Sequence, residues 1–405
     1  MTINLQARNA TLTDLAMLLK EQQAMKLDFV TPLANVTAFN GQITVAGTSV
    51  FDSGQVFTPT AIADGHLAGK LGIPPSYLKT LRETRPDLYD ANVNGWTQGW
   101  LPTMEFNRTG DHYGADERSV LIRSFINAGD PDAPGVLRAV LSERYGIIDN
   151  LDVLLAALDG VRNAGTEVDV LGCDLTESRM TIRVAAPSLL VHAPQLLAGY
   201  RSPFSGGAVD HEGGRLRTVP QWAQDRYGVN ADGVAGGFVI TNSETGGGAF
   251  TITPRLMVLT CTNGMMMTRD ALRQVHLGGR LDEGVIEWSG DTQRKALELV
   301  TAQARDAVTT FLDQDYMTRA IERLTDKAVT PLAEPAKAIE FIGKQLAYSQ
   351  EQQAGILDHF IRGGQTTAGG VLQAVTSYAQ TVESPDTAYD LEASAVKAME
   401  LAAAR

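Results

Sequence analysis

The chain has 405 residues, of which 44% are hydrophobic and 20% charged, with a formal net charge of −13. That length exceeds one typical domain and supports two or three domains with sizeable cores. The acid excess excludes a sequence-wide attraction to nucleic acid, so any DNA contact must come from a local basic surface. Apolar runs such as Leu256 to Leu259 fall far short of the roughly 20 residues that cross a bilayer. The segment Met1 to Asn9 lacks a basic stretch followed by an apolar core, so the expectation is a cytoplasmic protein with no membrane partner. Cys173 and Cys261 are the only cysteines. They lack the spacing of a thiolate zinc site or a disulfide framework and read as small buried hydrophobes.

In chain order, the pattern predicts a helix around Thr11 to Gln23. A hairpin follows, in which Val36 to Phe39 and Ile43 to Ala46 flank the tight-turn dipeptide Asn40-Gly41. Thr58-Pro59 reads as an N-cap with proline in the first turn, starting a helix that carries Ile62, Leu67 and Leu71 inward. A second helix begins at Pro75, with Tyr77, Leu78 and Leu81 on its buried face. Arg85-Pro86 ends it before a third stretch containing Leu88, Tyr89 and Trp96.

In the middle, Val120 to Phe125 and Val136 to Leu141 read as strands. Asp149-Asn150 is expected to cap a helix over Leu151 to Asn163. Period-two alternation then gives a hairpin, with Val168 and Val170 on one strand and Met180, Ile182 and Val184 on the other, turning at Thr176-Glu177-Ser178. A second pair, Gly237 to Asn242 and Ala249 to Cys261, is separated by Gly246-Gly247-Gly248. Tyr200 to Asn230 reads as a long loop, of the kind that is usually functional or mobile. From about Gly290 the periodicity is helical, with one stripe over Leu297, Val300, Ala304, Val308 and Leu312 and another over Ile339, Ile342 and Leu346. The fold class is α+β with antiparallel strands, ending in an all-helical region. The expected divisions are 1–110, 111–289 and 290–405.

No catalytic motif emerges. The glycines from Gly236 to Gly248 lack the lysine and hydroxyl residue of a phosphate loop, so they serve a turn and close strand packing. The six histidines have no ligand spacing, which predicts no metal and no cofactor. Asp210-His211-Glu212 and Cys261 are the places where tertiary folding could still assemble an enzyme site. The helices within LAGKLGIPPSYLKTL have a helix-turn-helix outline, but Lys79 and Arg82 are the only basic residues on the second helix, so a structural hairpin is the better reading.

One constellation does suggest a ligand. Between Leu101 and Ser289 there are 16 arginines and no lysine against 23 acidic residues. Arginine suits bidentate phosphate contacts, and codon bias explains the same imbalance. Within and beside the long loop, Arg201, Arg215, Arg217 and Arg226 are interleaved with Tyr200, Trp222 and Tyr227. Pairing guanidinium groups with aromatic faces is how single-stranded nucleic acid is commonly held.

The stretches LAGKLGIPPSYLKTL with DANVNGW, LRAVLSERYGIIDNLDVL, and GGFVITNSETGGGAFTITPRLMVLTCTNGMM resemble the phage and plasmid-like proteins grouped as domain of unknown function number 932. Arg138 to Asn150 and the span from Asn242-Ser243-Glu244 to Cys261-Thr262-Asn263-Gly264 carry most of the likeness. The resemblance implies a phage or plasmid setting and supplies no catalytic residues. The region from Leu151 to Cys261 is loosely similar to single-strand annealing recombination proteins, which form rings or filaments without cofactors. Three expectations follow: a homo-oligomeric protein that binds or anneals single-stranded DNA, a non-enzymatic interaction or scaffold protein acting on a host or phage factor, and an enzyme around His211 or Cys261.

Overall fold

The computed structural model describes residues 4–46, 54–99, 114–127, 130, 133–165, 167–204, 208–209, 217–218, 233–259, 263–274 and 290–405. The fold is α+β, with two large sheets, a separate two-stranded ribbon and an all-helical C-terminal region among the described residues.

The chain opens with β1 (Ala7–Ala10) and α1 (Leu12–Met25), whose N-cap Thr11 accepts from the Asp14 amide. It then leaves for a first lobe. There β2 (Lys26–Pro32), β3 (Val36–Phe39), β4 (Gln42–Val45), β5 (Gln55–Pro59), β6 (Ser119–Phe125) and β7 (Gly135–Ser142) form a six-stranded sheet in the order β2-β6-β7-β5-β4-β3. The expected hairpin is β3–β4, and Asn40 and Gly41 take the positive φ that its turn requires. Helices α2 (Ala61–Leu71), α3 (Pro75–Thr84) and α4 (Pro86–Gln98) cover one face of this sheet. The cap of α2 differs from expectation. Thr58 and Pro59 end strand β5, and Thr60 caps the helix instead, accepting from the Ala63 amide. The outer strand β3 is shielded by α4, since Asn94 bonds both the N–H and C=O of Ala38. An edge so occupied cannot template another strand.

After β7 the chain rejoins the part it left. Helix α5 (Asn150–Ala164) packs beside α1, and β8 (Asp169–Leu175), β9 (Met180–His192), β12 (Gly233–Asn242), β13 (Phe250–Val258) and β14 (Gly264–Met266) follow. They pair in the order β1-β8-β9-β12-β13-β14, with β15 (Leu272–Gln274) also on β13. The first lobe is therefore an insertion between α1 and α5. Its strands lie on both sides of residue 110 in the sequence, so the 1–110 division runs through one sheet. The ribbon β10 (Ala208–Val209) and β11 (Arg217–Thr218) pairs by itself.

Six helices complete the chain: α6 (Gly290–Phe311), α7 (Gln314–Ala328), α8 (Pro335–Gln345), α9 (Gln350–Gly363), α10 (Ala368–Ala379) and α11 (Pro385–Ala403). The stripe Val300, Ala304 and Val308 of α6, with Leu312 just after the helix, is buried with α1 and α5 against Ile182, Phe238, Ile240 and Ile252 of the second sheet. The remaining helices pack around Val371, Leu372, Val375 and Leu391, together with Leu256, Val258 and Met265. No described helix is long and apolar enough to cross a membrane.

Gly236 and Gly237 lie inside β12, not in a loop. A Cβ on Gly237 would collide with the Val184 backbone of the neighbouring strand β9, so glycine here permits strand packing. Gly237→Ala should lower stability by about 2–3 kcal/mol, read as a reduced urea midpoint with an unchanged m-value.

Candidate functional site

The inserted lobe meets the rest of the molecule through a buried set of charges built largely by strand register. Asp28 on β2 and Arg123 on β6 are directly opposed. The Arg123 Nε donates to Asp28 Oδ2 at 3.0 Å, its Nη2 to Asp149 Oδ1 at 2.6 Å and its Nη1 to the Glu244 carbonyl at 2.8 Å. Arg123 is fully buried. Burial opposes its charge, but Asp28, Glu244 and Asp149 overrule that and hold its pKa above the ordinary arginine value. Lys26, the first residue of β2, pairs with Asp149 and lies 3.4 Å from Asp28.

Arg138 of β7 pairs through Nη2 with the Glu244 side chain, and its guanidinium lies over the Phe125 ring at 4.2 Å. The other Glu244 oxygen accepts from the Asn150 amide at 2.6 Å. That contact corrects the expected cap. Asp149 occupies the N-cap position of α5 but makes no side-chain cap bond, because its carboxylate is taken by Lys26 and Arg123. Glu244, distant in sequence, supplies the acceptor and places a negative charge at the positive end of the helix. Asn242 Nδ2 donates to Asn150 Oδ1 and to the Ile148 carbonyl, both at 2.9 Å, and the Tyr145 hydroxyl donates to the Ser243 carbonyl at 2.9 Å. Gly246 completes the fit. It has φ +80, and a Cβ there would lie 2.8 Å from Leu141 of the inserted lobe. The glycine turn expected between the strands is thus also a seat for that lobe.

Arg138 to Asn150 and Asn242-Ser243-Glu244, distant in sequence, therefore meet in space. Arg123, Lys26 and Asp28 were not singled out from the sequence. The signal for Arg123 was present: an arginine within the apolar run Val120 to Phe125 must find buried partners. What the sequence does not reveal is which carboxylates supply them.

A second buried cluster ties the last helix to the sheet. Arg183 Nη1 donates to Asp174 Oδ2 at 2.6 Å, and its Nε lies 3.5 Å from Glu392 Oε2 of α11. Glu392 also lies 4.0 Å from Arg255 of β13. Four arginines of the lysine-free middle, Arg123, Arg138, Arg183 and Arg255, are thus internal and face carboxylates.

Of the residues expected to hold nucleic acid, Arg215, Arg226, Trp222 and Tyr227 lie outside the described residues. So do Asp210, His211, Glu212 and Cys261. Arg217 belongs to β11, opposite Val209. Tyr200 faces inward. Its hydroxyl accepts from Asn263 Nδ2 at 2.9 Å and its ring lies against Gly363. Arg201 is exposed, and its backbone N–H donates to the Gly363 carbonyl at 2.8 Å. In the helix-turn-helix-like pair, Arg82 is bound to Asp64 at 2.5 Å, and Tyr89 donates to the same carboxylate at 2.9 Å. Lys79 lies 3.9 Å from Glu83. The pair is a structural hairpin with one of its two cations spent internally.

The Cys173 thiol is buried, which pushes its pKa up to about 12 and keeps it unreactive. His359 is buried with Nδ1 2.9 Å from Ser377 Oγ, and burial depresses its pKa to about 4. Among the described residues no group of His, Cys, Asp and Glu side chains could hold a metal ion. Compared with known proteins, the chain matches no family model, no curated protein and no solved structure.

The interlobe charges predict how stability depends on pH. Burial would raise the Asp149 pKa, but Arg123 and Lys26 lower it below the ordinary 3.8. Its stabilising contribution is therefore complete above that ordinary value and is lost as pH falls through the lower folded-state value. Asp149→Asn should remove this part of the acid dependence in urea titrations. Glu244→Ala, which leaves Arg138 and the Asn150 amide unpaired, should cost about 3 kcal/mol at neutral pH.

Proposed function

We propose that the chain is a non-catalytic binding protein of the phage and plasmid-like type, which engages single-stranded DNA through the arginines of residues 200–230 as a homo-oligomer. One observation carries this reading. Arg201 is exposed and has no counter-ion among the described residues, whereas Arg123, Arg138, Arg183 and Arg255 face internal carboxylates. Arg201 precedes Arg215, Arg217 and Arg226 in the sequence and is tied by its backbone N–H to the Gly363 carbonyl, and Arg217 lies on β11, paired with β10. Free guanidinium groups near the chain surface are what a phosphate backbone requires. In this reading Tyr200 is held inward by Asn263, and base stacking falls to Trp222 and Tyr227.

The family resemblance supports the same setting on sequence motifs alone. A second reading, a scaffold acting on a host or phage factor, draws on the hairpin residue Phe39, which is 80% exposed, and on Ile361 of α9 at 68%. Such side chains are more at home in protein contacts than on a free surface.

A gel shift with short single-stranded DNA at rising salt separates the two. Binding at low salt should weaken steeply with salt, and Arg201→Ala with Arg217→Ala should flatten the log–log slope by about 0.7 per phosphate contact removed. No binding at low salt would overturn the DNA reading. A protein partner captured equally by wild type and the arginine variant would favour the scaffold.

A further inference from the structure

We infer that Asn40 is a site of spontaneous deamidation whose rate is set by Asp90 of α4. The inference concerns the hairpin of the inserted lobe and does not depend on the DNA reading.

Asparagine followed by glycine suits this reaction, because glycine has no Cβ to hinder the approach of its backbone nitrogen to the asparagine side chain. The sequence contains three such pairs, Asn40-Gly41, Asn94-Gly95 and Asn263-Gly264. Asn94 and Asn263 are buried and spend their side chains within the fold, Asn94 on the Ala38 backbone and Asn263 on Tyr200, Gln373 and Gln380. Asn40 differs. It is exposed at the tip of the β3–β4 hairpin, where water reaches it.

The reaction needs no reagent but water. The Gly41 nitrogen, once deprotonated, attacks the Asn40 Cγ. The new C–N bond closes a succinimide ring as the Cγ–Nδ2 bond breaks, and ammonia leaves with the proton that Gly41 gave to solvent. Water then opens the ring at either carbonyl, leaving aspartate or isoaspartate at position 40.

Two features hold this chemistry in check. Asn40 and Gly41 have φ of +50 and +73, which defines a primed turn. Such a turn sets ψ of its first residue at about +30° and places the Asn40 Cβ nearly opposite the Gly41 nitrogen across the Cα–C bond. The succinimide ring needs those atoms on the same side, so the turn must open before the ring can close. Asp90 holds it closed: its Oδ2 accepts from the Asn40 N–H at 2.5 Å and its Oδ1 from the Gly41 N–H at 3.0 Å. The proton that has to leave is therefore the one this carboxylate grips, and an anion on the Gly41 nitrogen would form against its negative charge. Gly41 is also buried, which keeps hydroxide from that proton.

Modification undoes the arrangement. A carboxylate at position 40 is repelled by Asp90, and isoaspartate lengthens the backbone within the turn, so the hairpin loses its grip on α4.

The test is peptide mapping by mass spectrometry of the full chain aged in mildly alkaline buffer. The wild type should gain the amide-to-acid mass slowly at Asn40, ahead of Asn94 and Asn263, and the chain unfolded in urea should gain it much faster. Asp90→Ala removes the charge-assisted hydrogen bond on Gly41, so it should deamidate at Asn40 about tenfold faster than the folded wild type. Should that variant fail to fold, Asp90→Asn, which keeps one acceptor and removes the charge, should still outpace the wild type. The inference is overturned if no folded sample gains mass at Asn40, if the gain appears first at Asn94 or Asn263, if the folded wild type reacts as fast as the unfolded chain, or if the folded variants age at the wild-type rate.

Discussion

A guanidinium sealed from water has to be met by acceptors on every side, and Arg123 sets that demand for the whole molecule. Asp28 answers it from the neighbouring strand, Asp149 from the start of α5 and Glu244 from the turn between β12 and β13. Two of these three lie outside the inserted lobe. Placing one cation at this point therefore fixes how the lobes are docked. The partners are shared in turn, with Lys26 on Asp149 and Arg138 on Glu244, so removing any one member strands another charge. Such a network gives specificity of docking more than net stability, since an apolar seam of the same shape could hold equally well.

Local pattern made much of the fold legible. Asn40-Gly41, the α6 stripe and the alternation from Val168 to Val184 each state a local preference that the structure honours. Where reading failed, a distant group had intervened. Asp149 looks like a cap because aspartate at that position normally serves as one, yet Lys26 and Arg123 claim its carboxylate. Thr58-Pro59 looks like a helix start, but its backbone belongs to a strand paired in parallel with β7. Neither partnership leaves a trace in local periodicity.

The lysine-free middle holds a similar lesson for the site. Counted along the sequence, its arginines form one population suited to phosphate. Sorted by burial they are two. Arg123, Arg138, Arg183 and Arg255 fall within strands and face carboxylates, while Arg201 follows a turn and remains exposed. An arginine flanked by apolar strand residues and one flanked by serine, proline and glycine carry different expectations, and composition alone merges them.

The insertion of one lobe into the other also bears on how the chain reaches its final form. Strand β1 pairs with β8, placing Ala7 opposite Leu175 and Ala10 opposite Cys173. Closing so long a loop from an unfolded chain carries a large entropic cost and slows folding. The inserted lobe shortens the path. Once its sheet has formed, Lys26 and Asp149 can clasp across its base and bring the ends of α1 and α5 together. The detour in the sequence then becomes a short tether in space, and the outer strand of the second sheet needs to search only a small volume for its neighbour.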